Sequence, residues 1–244
     1  MIDQDSAAWT GIWRVAAIAA VVQLLCTLMT IAVVFTLGVE PATAEEAFTL
    51  LHEDRVAALL RFDFPSLFNV ALFAVTTVAL FGALRRVRFA HSVLAMALTL
   101  VGVAIAMATH DAMSIIHLAD RFAAAGSATE RELLLAAGEG AIATGWWHSS
   151  GGFMAGLFLQ GGTFLMHVVM FRSSRFLKAT AIAGMLANGL DLLHVLVGVV
   201  SPRIAELLSI ALAIYVVWYP LLAFDLFRLS RRSASDLIDG GSAS

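Results

Sequence analysis

The sequence contains few charged residues, a single cysteine and none of the common catalytic motifs. Only 14% of its 244 residues are charged, and a soluble domain of this length would need a more polar surface. The lone cysteine, Cys26, excludes a framework of internal disulfides. The chain has no phosphate-binding loop, no Ser-His-Asp order and no basic patch of the kind that binds nucleic acid, so we expect no nucleic-acid partner.

Apolar residues make up 60% of the chain, and they are concentrated in long runs. A helix needs about 20 apolar residues to cross the hydrocarbon core of a bilayer. The sequence therefore predicts an all-α fold, a six-span transmembrane helical bundle. The predicted spans are Trp13–Leu37, Ser66–Leu84, Phe89–Leu118, Gly145–Phe171, Thr180–Ser201 and Ile204–Phe227.

Basic residues are distributed unevenly between the two ends of these spans. Ten of the 15 Lys and Arg residues would lie at one end, and the positive-inside rule makes that end cytoplasmic. This places both termini in the cytoplasm of a multi-pass membrane protein with an uncleaved first span. The ten residues are Arg14, Arg85, Arg86, Arg88, Arg172, Arg175, Lys178, Arg228, Arg231 and Arg232.

The connections at the opposite end are acidic, and two of them contain a predicted short amphipathic helix, Ala47–Leu60 and Leu133–Ile142. A capping-box pattern, in which two side chains satisfy free amides at a helix start, precedes each helix. We expect both helices on the outer side, either covering the ends of the spans or lying on the membrane surface. The capping patterns are Thr43-x-x-Glu46 and Thr129-x-x-Glu132.

The predicted spans form a single membrane domain, residues 1–232, followed by a small, polar tail, 233–244, that we expect to be disordered. Each amphipathic helix leads into a descending span, a short basic turn and an ascending span. This order suggests a parallel internal repeat of 40–118 and 128–200, as found in some transporters. The third span is too long for a bilayer, so it must tilt, break near Thr109-His110-Asp111, or project beyond the membrane.

Ionisable side chains interrupt three of the apolar runs. Charged groups in a membrane are costly, so they face protein or water and commonly mark functional sites. Helical rise places His110, Asp111, His148, Asp191 and His194 in the outer half of the bundle. They could meet in one polar cavity formed by spans three, four and five, or each could bond separately to a neighbouring helix. The neutral residues expected to hydrogen-bond between helices are Gln23, Asn69 and Asn188.

Imidazoles and carboxylates suit zinc, so His110, His148 and His194 are the candidate metal ligands and zinc is the candidate cofactor. A zinc ion with an open position could hydrolyse a lipid or an amide, with Asp191 or Asp111 as the catalytic acid and base. The spacing is not typical of zinc enzymes, because the chain has no His-Glu-x-x-His.

A haem held by two histidines is a further alternative. His91 and His110 are 19 residues apart on one span, as are His148 and His167 on the next. Nineteen residues turn a helix by about 100° beyond full turns, so the two histidines of a span leave different faces. This geometry argues against haem.

Part of the chain resembles a bacterial family of polytopic membrane proteins known as domain of unknown function 4386. The shared features are a His that opens a span, a Gly-rich descending helix, a short basic turn and a Gly-containing ascending helix. The resemblance covers residues 12–228, carries over His148 alone and implies no activity; it implies a location in the bacterial inner (plasma) membrane. The stretches that carry it are His-Ser-Ser-Gly-Gly-Phe-Met-Ala-Gly-Leu-Phe-Leu-Gln-Gly-Gly, Val-Met-Phe-Arg-Ser-Ser-Arg-Phe-Leu-Lys and Ala-Gly-Met-Leu-Ala-Asn-Gly-Leu-Asp.

The sequence favours a binding or sensing protein that holds a small ligand or a metal ion in an outward-facing cavity. The second hypothesis is a zinc-dependent intramembrane hydrolase. The third is a proton-coupled transporter in which Asp191 and His194 titrate. The expected partners are the lipid bilayer and a small-molecule or lipid ligand, and the pattern is compatible with a homo-oligomer.

Overall fold

The computed structural model describes the backbone of residues 4–145, 149–201, 204 and 210–241. Within these ranges, side chains are described for residues 8 to 232. Every regular element in this part of the chain is an α-helix, which confirms the all-α prediction. Six helices are long and apolar enough to cross a membrane, so the chain is a polytopic membrane protein. They are α1 (Gln4–Thr36), α4 (Phe64–Leu84), α5 (Phe89–Thr109), α8 (Ser150–Phe171), α9 (Lys178–Gly198) and α10 (Ala211–Gly241).

The first and last helices extend beyond their predicted bounds. α1 begins at Gln4, before the predicted Trp13, because no proline interrupts the residues that precede the apolar run. α10 continues past Pro220 to Gly241, so helical backbone extends into the segment predicted to be disordered. That segment has no Pro and no Gly before residue 240, so nothing in it stops a helix that is already formed.

The six long helices form a closed ring in chain order. Each packs against the next, and α10 closes the ring by packing on α1. The loops at one end, 85–88 and 172–177, carry basic residues; we call this the basic end and the opposite one the acidic end. Large buried side chains, among them Met166, Trp218 and Leu226, fill the basic half of the ring.

The pair α5 and α8 meets through glycine. A Cβ atom built on Gly102 would lie 2.4 Å from the backbone nitrogen of Leu159, and one built on Gly162 would lie 2.6 Å from that of Thr99. Both distances are far below van der Waals contact, so any side chain at these positions would push the two helices apart. Gly102 of α5 and Gly162 of α8 therefore allow the close packing of these two helices.

The third span breaks at the predicted place. α5 ends at Thr109, His110 has extended backbone (φ −72°, ψ 118°), and α6 (Ala112–Ala124) begins two residues later. The sequence allowed the long third span to tilt, to break or to project beyond the membrane. The structure shows the break, at Thr109-His110-Asp111. Beyond the break, α6 packs on helices of the acidic end.

Four short helices form a second packed unit at the acidic end, the helical cap: α2 (Ala44–Glu53), α3 (Arg55–Arg61), α6 and α7 (Ala128–Thr144). Their apolar faces share a core of their own, which includes Phe48, Phe62 and Ile115. The predicted helix Ala47–Leu60 is divided at Asp54. Its carboxylate accepts bonds from the amides of Val56 (3.0 Å) and Ala57 (2.9 Å), so Asp54 starts a new helix instead of continuing α2.

Both predicted capping boxes have a counterpart, but the second lies two residues earlier. The Thr43 hydroxyl accepts a bond from the Glu46 amide (3.2 Å), as predicted. At α7 the N-cap is Ser127, whose hydroxyl accepts from the Glu130 amide (3.2 Å). The assignment to Thr129 was wrong because Ser127-x-x-Glu130 supplies the same two groups nearer to the turn.

A buried carboxylate joins α10 to the start of α9 near the basic end. Asp225 accepts bonds from the Leu177 amide (2.9 Å) and the Thr180 hydroxyl (2.6 Å), and its other oxygen lies 2.6 Å from the Arg228 guanidinium. Asp225 is fully buried, so each of these contacts compensates part of its desolvation.

Candidate functional site

A cavity of about 1060 Å³ occupies the acidic half of the ring. Five of the six long helices line it, together with the loop after α1 and the end of α3; none of the described residues of α5 does. Most of the wall is apolar, as at Val33, Phe73 and Leu212. The cavity extends to the acidic end at Val39 and Glu40, whereas the packed side chains of the basic half close it from below.

Every long helix that lines the cavity brings polar side chains to it, and on four of these helices the side chains have helical spacing. Residues three or four apart lie on one face of a helix, so each pair points the same way. The pairs are Thr27 and Thr30 on α1, Ser66 and Asn69 on α4, Asp191 and His194 on α9, and Tyr215 and Tyr219 on α10, joined by Ser150 and Gln160 on α8.

A chain of hydrogen bonds across three helices fixes Asp191. Its carboxylate accepts a bond from the Gln160 amide (3.2 Å), and the Gln160 carbonyl accepts one from the Tyr215 hydroxyl (3.2 Å). That hydroxyl also lies 3.1 Å from the amide oxygen of Asn188, which accepts a 2.7 Å bond from Thr163. Because Tyr215 has one hydroxyl proton, it donates to one of the two amides at a time.

Two stacked tyrosines lie at the inner part of the cavity. The rings of Tyr215 and Tyr219 have centroids 5.6 Å apart, and Trp218 packs against both, at 5.7 and 4.8 Å. The Tyr219 hydroxyl donates to Asn69 (3.0 Å), whose amide donates to Thr27 (3.2 Å). The cavity therefore contains aromatic surface that packing and hydrogen bonds hold in place.

Two carboxylates lie near the mouth. Asp63 has left-handed backbone (φ 55°), which is uncommon for a residue other than glycine, and its carboxylate accepts a bond from Thr30 (3.1 Å). Burial raises the pKa of Asp63, although bonds from Ser66 and Thr30 oppose the shift. Burial, and then the nearby carboxylates of Asp111 and Asp63, raise the pKa of Glu40 to about 7. Glu40 therefore exchanges its proton near neutral pH.

The carboxylates of the cavity lack lysine and arginine partners in the described part of the chain, although His194 interacts electrostatically with Asp191. No Lys or Arg there forms an ion pair with Glu40, Asp63 or Asp191. Arg61 also lines the cavity, but its guanidinium lies 2.6 Å from the Glu46 carboxylate. The hydrogen bond from Arg61 holds the pKa of Glu46 below its usual range, so this pair stays ionised and neutral overall. The lining consequently has an excess of acidic groups.

The predicted site residues fall into two groups. Asp191 and His194 line the cavity and interact electrostatically with each other. His110 and Asp111 do not line it, although both are close enough to interact electrostatically with residues that do. The tight packing of α5 on α8 explains the division, because it keeps span three behind the helices that enclose the cavity.

His110 and Asp111 occupy the junction of α5 and α6. The His110 ring meets Phe64 edge-on, with centroids 6.0 Å apart, and its Nδ1 accepts a bond from the Ala112 amide (3.4 Å). Asp111 lies against the end of α7, where a Cβ built on Gly145 would come within 2.1 Å of its carboxylate. These two residues are therefore part of the joint between the ring and the helical cap.

The third predicted metal ligand, His148, lies outside the described residues. Among the described ones, no three side chains of His, Cys, Asp or Glu come close enough together to hold one metal ion. The set of His110, His148 and His194 stays a prediction, as does zinc.

The histidines of the haem alternative lie in unlike surroundings. His91 is exposed near the start of α5, whereas His167 on α8 is fully buried. The His167 Nδ1 lies 2.7 Å from the Thr163 carbonyl, and its ring meets Trp218 at 5.0 Å. A Cβ built on Gly184 would come within 2.1 Å of the ring, so α9 covers that side of His167.

Sequence reasoning missed three groups of the cavity, Gln160, Tyr215 and Glu40. A signal existed for Tyr215, because the two tyrosines of the chain lie four residues apart in one apolar run. The expected interhelical role of Asn69 and Asn188 is confirmed by their bonds to Thr27, Thr163 and the tyrosines. Gln23 also acts as expected, since its amide donates to the Asn69 carbonyl (3.2 Å).

The fold and the site define a six-span helical membrane protein with a partly polar cavity between its spans. No family model matches the chain, and neither a curated protein nor a solved structure matches it. The resemblance to the family of unknown function therefore stays a prediction.

Proposed function

We propose that the protein binds a small amphipathic molecule in its cavity, reached from the outer side of the bacterial inner membrane. The observation that supports this most is the cavity of about 1060 Å³, with apolar walls and a few fixed polar groups. Small-molecule sites are usually apolar clefts of about 300–1,000 Å³ with a small number of placed polar side chains. The cavity agrees with this description in both size and composition.

The apolar wall of the cavity favours the binding of an amphipathic ligand. Water in a cavity needs polar partners, which Asp63 and Asp191 offer but Val33 and Phe73 do not. A hydrocarbon body that covers the apolar wall gains about 25 cal/mol for each Å² removed from water. A polar group on the same molecule could then bond to the fixed groups around Asp191.

The outward orientation of the cavity mouth is inferred from the distribution of basic residues between the two ends of the bundle. The loops at the basic end contain Arg85, Arg86, Arg88, Arg172 and Arg175, and the positive-inside rule places such loops in the cytoplasm. The cavity extends to the opposite end, so its mouth would face outward, and both termini would be cytoplasmic. The ligand would then come from the outer leaflet or from the space outside it.

The proposal is tested with three fluorescent probes that share one apolar body: diphenylhexatriene, its trimethylammonium derivative and its propionic acid derivative. The purified protein in lipid nanodiscs is dialysed to equilibrium against empty nanodiscs of the same lipid, and the probe in each compartment is extracted and measured. We expect a saturable excess of one probe molecule per chain for at least one of the three. Absence of any saturable excess would contradict the proposal.

Matched variants locate the bound probe. Val33→Trp combined with Leu212→Trp places two indoles in the cavity and should lower the affinity at least severalfold. The control, Val15→Trp with Leu25→Trp, adds the same groups to the lipid-facing side of α1, where both residues are more than half exposed. Equal binding by the two double variants would place the probe outside the cavity and contradict the proposal.

A second function, proton-coupled transport, is favoured by one observation. Hydrogen-bonded groups continue from Asp191 through Gln160, Tyr215 and Asn188 to Thr163, whose backbone carbonyl bonds to His167 near the basic end of α8. Such chains of polar groups occur in proton pathways of pumps and transporters. The test is acidification of liposomes that contain a trapped pH dye: Asp191→Asn should abolish a proton flux that the wild type supports.

A zinc-dependent hydrolase receives no comparable support from the described residues. Its proposed ligands are divided between the cavity (His194) and the joint beside it (His110), and His148 lies outside the description. Metal analysis of the purified protein tests it directly. Stoichiometric zinc that is lost in His110→Ala or His194→Ala would revive this function.

A further inference from the structure

Resting on the proposed function, we infer that the ligand carries an organic cation, such as an ammonium group, which binds between Asp191 and the stacked tyrosines Tyr215 and Tyr219. The apolar body of the ligand fills the rest of the cavity toward the acidic end. Charge, aromatic surface and depth support the inference separately.

Charge favours a cation. The lining contains Glu40, Asp63 and Asp191, and within the described ranges no Lys or Arg is paired with any of them. Carboxylates at such depth are costly unless a positive charge or a proton neutralises them. The lining arginine, Arg61, is neutralised by Glu46 and so does not offset the three acids. An ionised carboxylate of the lining would repel an anionic group of a ligand.

Aromatic surface favours an organic cation over a metal ion. The faces of aromatic rings attract cations, and ammonium groups are recognised by combinations of aromatic rings and carboxylates. Tyr215 and Tyr219 line the cavity near Asp191, and Trp218 holds both rings from behind. A bare divalent ion would instead need several close oxygen or nitrogen ligands, and no three such side chains converge among the described residues.

Depth fits a molecule with one charged end. Asp191 lies 13 residues from the start of α9 at the basic end, or about 20 Å at helical rise. The charged group would therefore sit well inside the membrane, with Gln160 and Asn188 keeping Asp191 and Tyr215 in position. Above it, Val33, Val195 and Leu212 offer an apolar wall for the body of the ligand.

The same three probes test the inference, because they differ in charge and share one body. We expect the trimethylammonium probe to bind the wild-type protein about tenfold tighter than neutral diphenylhexatriene, and the propionate probe to bind most weakly. This order needs no variant. Equal affinities, or tighter binding of the neutral or anionic probe, would overturn the inference and leave the proposed function standing; no binding of any probe would overturn both.

Two substitutions then assign the selectivity to residues. Asp191→Asn keeps the size of the side chain and its bond to Gln160, and it should weaken the cationic probe about tenfold while changing the neutral probe less than twofold. Tyr219→Phe keeps the ring and should retain cation selectivity, whereas Tyr219→Leu should reduce it severalfold. If Asp191→Asn weakened both probes equally, the carboxylate would not be binding the cation, and the inference would be wrong.

Discussion

The contact between α5 and α8 gives the sharpest test of the packing. A Cβ built on Gly162 lies 2.6 Å from the Thr99 nitrogen, whereas ordinary contact begins near 3.4 Å, so Gly162→Ala must move backbone by about 0.8 Å. Overpacking of this kind costs about 1–3 kcal/mol. Alanine recovers up to about 1 kcal/mol of helix propensity. The net loss should therefore be up to about 2 kcal/mol.

The neighbouring residue provides the control. Nothing lies within 4 Å of a Cβ built on Gly161, so Gly161→Ala should be neutral or slightly stabilising. Cys26 is buried and is the single cysteine of the chain, so a thiol-reactive fluorescent maleimide reports unfolding in detergent. We expect the midpoint of Gly162→Ala to lie several degrees below that of Gly161→Ala, which has the same gain in propensity without the overpacking, at about 2–4 °C for each kcal/mol. Equal midpoints for the two variants would refute the close approach of α5 and α8.

Three further predictions use the same thermal assay. Asp225→Ala leaves Arg228 and the hydroxyl of Thr180 without their carboxylate partner and should destabilise the fold by about 3–5 kcal/mol, while Asp225→Asn, which keeps an acceptor for Thr180, should cost less; a loss below about 1 kcal/mol in Asp225→Ala would contradict the buried ion pair. The folded pKa of Glu40, about 7, exceeds its unfolded value of 4.5, so the folded state binds more protons and stability should fall as pH rises between these values. Glu40→Gln should remove that part of the decline, and an unchanged profile would contradict the burial of Glu40. Arg55→Ala breaks an ion pair whose side chains are more than half exposed, so its cost should stay below about 1 kcal/mol.

The spans were predictable because a membrane helix must be apolar on all sides, and that property is visible without any knowledge of packing. The break in span three followed from its excess length and from polar residues at His110-Asp111. The division of the cap helix at Asp54 was not foreseen, since a carboxylate that caps a new helix resembles any other acidic residue of an amphipathic helix.

The site was predictable only where one helix determined it. Asp191 and His194 share a face of α9 by spacing alone, so they enter the cavity together. His110 and Asp111 were expected beside them, but the rotation of α5 depends on Gly102 and Gly162, whose contacts hydropathy cannot show. Tyr215 and Tyr219 gave a signal only through their spacing of four residues, because a tyrosine within a span is equally typical of a helix end.

Cysteine labelling in a Cys26→Ser background determines whether the cavity opens to the outer side of the membrane. Ser66→Cys places a thiol on the cavity wall, Phe68→Cys places one on the lipid-facing side of the same helix, and Arg86→Cys places one at the basic end. Spheroplasts are treated from outside with a membrane-impermeant trimethylammonium thiosulfonate. We expect rapid labelling of Ser66→Cys, slow labelling of Phe68→Cys, and labelling of Arg86→Cys only after permeabilisation. Labelling of Arg86→Cys from outside, or equal rates for Ser66→Cys and Phe68→Cys, would contradict a cavity that opens to the outer side.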